Sequence, residues 1–118
     1  MQTVDDLIND AQQALSKYSY YIRHEIVRGT RYCKIRLIII ERDLFVQINR
    51  NETTSLTNFA LILHSQRIFG RDEYRGTWHR HAPSAPEYHN GSPEGSRSVS
   101  LAEFLIEVDD LLRSRGLI

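Results

Sequence analysis

The sequence predicts an α+β domain: a five-stranded antiparallel meander sheet with an N-terminal and a C-terminal helix packing on it. Three observations carry that expectation. Apolar residues recur at helical spacing at the two ends of the chain, and between 19 and 74 the period falls to two while β-branched and aromatic residues accumulate. The connections within that middle stretch are too short for parallel crossovers. A chain of 118 residues suits a single domain, 1–118.

The first helix is expected over 3–17. Val4, Leu7, Ile8, Ala11, Ala14, Leu15 and Tyr18 form one apolar stripe. Thr3 can cap it, and Asp5 and Asp6 sit where the helix dipole favours negative charge. The sheet occupies 19–74. Ser19 to Arg28 alternates, Gly29-Thr30 turns the chain, and Tyr32 to Glu41 alternates before ending apolar on both faces. Leu44 to Asn49 follows, then a polar loop from Arg50 to Thr54, and two more strands, Leu56 to His64 and Arg67 to Tyr74. On this reading His24 and His64 lie on strands.

Residues 75–99 read as a turn bearing the site, then a loop rich in Pro, Gly and Ser, without secondary structure over 82–97. The closing helix, 100–115, is the best-marked element. Ser100 and Glu103 form a capping box, and Leu101, Phe104, Leu105, Val108, Leu111 and Leu112 make its buried stripe. Gly116 ends it. Both helices can cover one face of the sheet; the alternative is that one docks on a partner chain, and a homodimer is open.

Composition narrows the function classes. The apolar fraction is 41% and the charged fraction 25%, ordinary for a globular protein. Fifteen basic residues balance fifteen acidic ones, so the chain is no dedicated nucleic-acid packager, although a local basic site is allowed. Cys33 is the only cysteine; no internal disulfide can form, and its apolar neighbours suit a buried thiol. The longest apolar run, Leu37 to Ile40, is far below the ~20 residues that span a bilayer. No membrane association and a reducing, cytoplasmic setting are the expectation.

Chemistry concentrates between 71 and 81, in Arg71-Asp72-Glu73-Tyr74-Arg75-Gly76-Thr77-Trp78-His79-Arg80-His81. On an extended segment His79 and His81 point to one face and Arg80 to the other. Two imidazoles on one face can serve as general acid and base near neutral pH. They can equally be two ligands of a divalent metal, with His89, Asp72 or Glu87 completing the shell. The plain alternative is a pair of histidines bonding backbone carbonyls of the following loop. Arg67, Arg71, Arg75 and Arg80 supply local positive charge that matches phosphate, or else pair with Asp72, Glu73 and Glu87. Trp78 fills core on the simpler reading and stacks a base on the functional one. Tyr74 either anchors the strand end or contacts substrate.

The same segment resembles the TumE-like family of small proteins encoded in toxin–antitoxin operons. The matching pieces are Ile68-Phe69-Gly70-Arg71-Asp72 and Gly76-Thr77-Trp78-His79-Arg80-His81-Ala82-Pro83, then Pro86 with His89, and Ser100-Leu101-Ala102-Glu103-Phe104-Leu105. The resemblance covers roughly 32 to 112. Glu73 stands where the family often has asparagine, and Ala82 separates His81 from Pro83. The resemblance implies an intracellular toxin with RNA as substrate, held inactive by a cognate antitoxin bearing a helix-turn-helix. Its site residues would be His79 and His81 first, Asp72 second and His89 third.

The combined expectation is a metal-independent endoribonuclease with no cofactor. His79 and His81 act as base and acid, Asp72 orients, and Arg71 or Arg75 stabilises the phosphorane, with Trp78, Tyr74, Arg80 and His89 holding substrate. The alternatives are a metal-dependent nuclease using His79, His81 and His89, and a non-catalytic protein-interaction module.

Overall fold

A computed structural model of the chain describes residues 2–82, 85–90 and 92–118, with the side chains of 85–90 outside the description. Two helices, α1 (Val4–Lys17) and α2 (Leu101–Ser114), bracket seven strands. These are β1 (Arg23–Arg28), β2 (Tyr32–Ile40), β3 (Leu44–Asn51), β4 (Leu56–Leu63), β5 (Gln66–Tyr74), β6 (Thr77–Ala82) and β7 (Ala85–Asn90). They form one sheet in sequence order, β1 to β7, with every pair antiparallel. The α+β class and the meander are as expected; the count of five strands is not.

The extra strands come from 75–99, expected to be a site turn followed by a loop. β6 follows β5 through Arg75-Gly76, both at positive φ (52° and 85°), the two-residue hairpin turn whose twist matches the flanking strands. Pro86 is tolerated because β7 is an edge strand, the place in a sheet where proline is accommodated. β3 runs on to Asn51, so Arg50, expected in a loop, lies in a central strand and is 1% exposed. β1 begins only at Arg23. His64 lies in the β4–β5 turn at φ 49°, exposed, rather than on a strand.

Both helices start with a complete capping box: Thr3 with Asp6, and Ser100 with Glu103. Their stripes pack on one face of the sheet. α1 buries Val4, Leu7, Ala11 and Ala14, and α2 buries Leu101, Phe104, Leu105, Val108 and Leu112. Against them the strands present Cys33, Ile35 and Leu37, then Leu44, Val46 and Ile48, then Phe59, Leu61 and Phe69. Phe104 stacks on Phe69 at 5.4 Å and tilts against Phe59 at 5.4 Å. The chain's ends meet: Leu101 N–H donates to Gln2 Oε1 at 3.2 Å, and Val4 N–H to Glu52 Oε2 at 2.8 Å.

Candidate functional site

The helices cover one face, and strand alternation assigns each remaining side chain to that helix face or to the open face. Pairing aligns Lys34, Asn49, Asn58, Asp72 and His79 in one row across five strands. A second row runs Arg36, Gln47, Ala60, Gly70 and His81. Both rows lie opposite the apolar core. His79, His81 and Asp72 therefore share the open face, as the i, i+2 spacing predicts.

Arg67 joins them through a backbone irregularity. Simple alternation would put Arg67 on the helix face with Phe69 and Arg71. Between Leu61 and Ile62 the β4–β5 register shifts, so that Leu61 pairs with Phe69 but Ile62 pairs with Arg67. The extra residue, Ile68, flips Arg67 onto the open face, the re-aiming that a β-bulge performs. Gly70 leaves room for its stem, since a Cβ there would stand 3.1 Å from Arg67 Cδ and 3.0 Å from the Phe59 carbonyl oxygen.

The result is a compact charged network. Arg67 Nη1 donates to Asp72 Oδ2 at 3.1 Å, and Arg67 Nη2 lies 3.0 Å from His81 Nδ1. His81 Nε2 lies 2.8 Å from the same Asp72 oxygen. Asn58 Nδ2 donates to the other oxygen, Oδ1. A guanidinium can only donate, so His81 Nδ1 accepts from Arg67 and Nε2 is the ring nitrogen beside the carboxylate. His81 is 1% exposed. This histidine is held, not presented.

His79 is the half-buried one. It lines an open-face cleft of about 490 Å³, together with Asn49, Leu56, Asn58, Asp72 and Tyr74. Leu56 and Tyr74 are cross-strand partners at its end, 36% and 54% exposed. They form an apolar wall beside an otherwise polar floor. Arg75, in the hairpin turn, lays its guanidinium 5.3 Å from the Tyr74 ring centroid.

Other residues expected at the site lie elsewhere. Arg71 points to the helix face and is 0% exposed. Its Nε and Nη2 donate to Glu107 at 3.0 and 2.5 Å, and its Nη1 and Nη2 to the Glu94 carbonyl and carboxylate at 3.2 and 2.7 Å. Burial alone would lower the Arg71 pKa, but the bonds to Glu107 and Glu94 outweigh it and the value is raised. Those bonds in turn hold the Glu94 carboxyl below the usual range. Arg71 therefore cannot stabilise a phosphorane beside His79. Arg80 is on the helix face too, 2.7 Å from Glu94. Trp78 is 9% exposed and tilts against Phe59 at 6.1 Å, so it fills core and offers no stacking platform.

The side chains of His89 and Glu87 lie outside the described residues, as does Pro83 altogether. Among the described residues no three His, Cys, Asp or Glu side chains converge as a metal shell would. The set His79, His81 and His89 therefore has two members placed, one of them bracketed by Arg67 and Asp72.

Sequence reasoning did not single out Asn49 and Asn58. Their signal was available: amides are poor strand formers, and two of them oppose each other in central strands on the histidine face. It also missed a buried polar cluster on the helix face. There Thr57 Oγ1 donates to Glu73 Oε1 at 2.8 Å and receives Arg50 Nη1 at 2.9 Å. No protein-family model matches the chain, and no curated protein or solved structure matches it.

Proposed function

We propose that the chain is a toxin-type endoribonuclease whose site is the open-face cleft at His79, acting without a metal. The observation that carries this reading is the convergence of His79, Asp72, Arg67 and His81 on the sheet face opposite the helices, beside an apolar wall. His79 takes the proton of the ribose 2′-hydroxyl as the 2′-oxygen attacks phosphorus. The 5′-oxygen leaves with a proton from solvent, giving a 2′,3′-cyclic phosphate and a 5′-hydroxyl. Arg67, not Arg71, is the guanidinium bonded to Asp72 on this face and supplies positive charge to the phosphorane. Asp72 and His81 are positioning residues that fix Arg67.

The toxin assignment, and a cognate antitoxin with a helix-turn-helix as partner, rest on the resemblance of the segment around Trp78 and His79 to TumE-like proteins. No helix among the described residues is long and apolar enough to cross a membrane.

The test is cleavage of single-stranded RNA by purified protein in chelator. His79→Ala should lower the rate by about 10²–10⁴-fold, the usual contribution of a positioned acid–base group. His81→Ala should act through Arg67, with the larger effect on stability. Undiminished cleavage by His79→Ala, or none by the wild type with or without divalent metal, would remove the reading. The burial of Trp78 favours a second one, a non-catalytic module that binds a protein partner through the same open face. Growth arrest that survives His79→Ala and His81→Ala together would select it.

A further inference from the structure

We propose that Asn49 and Asn58 read the edge of one nucleobase seated against Leu56 and Tyr74, making the cleft base-selective. This rests on the proposed ribonuclease reading and deepens it. The two asparagines are directly paired across β3 and β4, so their amides stand about 5 Å apart on the open face. Both line the cleft that His79 borders.

Their hydrogen-bonding states differ. Asn58 gives its Nδ2 to Asp72 Oδ1, which fixes the flip of the amide and leaves its oxygen as an acceptor. Asn49 makes no side-chain hydrogen bond among the described residues. It keeps both an NH₂ donor and a carbonyl acceptor for a ligand. A pair offering a fixed acceptor beside an adaptable amide matches a base edge with adjacent donor and acceptor, the bidentate logic by which asparagine recognises bases.

The surroundings suit a base and not a sugar or a peptide. Leu56 and Tyr74 form a flat, exposed apolar wall at the end of the cleft, and aromatic faces stack any base. His79 lies two strands from Asn58 and three from Asn49, about 10–14 Å across the sheet. With side chains reaching inward from both ends, a single nucleotide bridges that gap, its phosphate at His79 and its base edge at the amides.

The experiment compares wild type, Asn49→Leu and Asn49→Asp on four single-stranded oligonucleotides that differ in one ribonucleotide within otherwise uncleavable DNA. Binding of the same four by His79→Ala protein gives a readout independent of turnover. The wild type should prefer one or two bases by about 5–150-fold, the range of one bidentate contact. Asn49→Leu should level that preference, because a leucine offers no polar group. Asn49→Asp, which only accepts, should move it towards guanine, whose N1–H and N2–H₂ are adjacent donors. A wild-type preference unchanged in both variants would overturn the inference and leave the ribonuclease reading standing. A wild type that cleaves all four equally would also overturn it. Failure of the wild type to cleave any of them, and of the His79→Ala protein to bind any, would remove both.

Discussion

Arg71 offers the sharpest division between proximity in sequence and position in space. Replacing it by methionine keeps most of the stem volume and removes the charge. The guanidinium is fully buried and makes four hydrogen bonds, two to Glu107 and two to Glu94. Breaking a fully buried ion pair costs about 3–5 kcal/mol, whereas an exposed pair is worth about 0–1 kcal/mol. Here the cation is buried, but the Glu107 and Glu94 side chains are 23% and 49% exposed and can rehydrate when it is gone. The expected loss is therefore intermediate, about 2–3 kcal/mol. With a urea dependence of roughly 2 kcal/mol per molar for a domain of this size, the unfolding midpoint should fall by about 1–1.5 M. Because Arg71 faces the helices, cleavage per folded molecule should be unaltered in Arg71→Met. An unshifted midpoint, or lost cleavage at an unshifted midpoint, would refute the reasoning and return Arg71 to the substrate.

Two further outcomes are expected. Gly70→Ala places a methyl group against the Phe59 carbonyl and the Arg67 stem, so it should destabilise the fold by about 1–3 kcal/mol. It should also move the His81 ring-nitrogen NMR signals as Arg67 is displaced, which a change in bulk stability alone would not do. Acidification should destabilise the protein through carboxylates whose folded pKa is depressed, among them Glu94, held down by Arg71. Their contribution is present above the ordinary carboxylate value, about 4.3 for glutamate, and is lost as pH falls through the lowered folded value. Urea midpoints measured between pH 6 and pH 3 should fall, and Arg71→Met should flatten the Glu94 share of that slope.

The two helices were legible because everything that defines them is local: stripe, cap residue and the carboxylate three positions on. Most of the sheet was legible for the same reason, since alternation is a property of neighbours. Parity also separates Asp72, Tyr74, His79 and His81 from Arg71, Trp78 and Arg80, and grouping the arginines by closeness in sequence obscured it. Arg67 is a different matter. Its face is set by one extra residue at Ile68, and a bulge is decided by how the partner strand fits, not by the residues around it. β7 was hidden by the prolines beyond Ala82, because composition does not say whether a strand has one neighbour or two.

Because each strand pairs only with its sequence neighbour, every ladder closes over a turn of a few residues. Zipping such hairpins one onto the next incurs little loop-closure entropy at any step. The contact between Gln2 and Leu101 spans 99 residues and gains nothing until the sheet exists to seat both helices. Loop-closure entropy alone therefore favours the meander over the joining of the two ends as the early step. The surface bearing His79 can be laid down before the helices seal its reverse side.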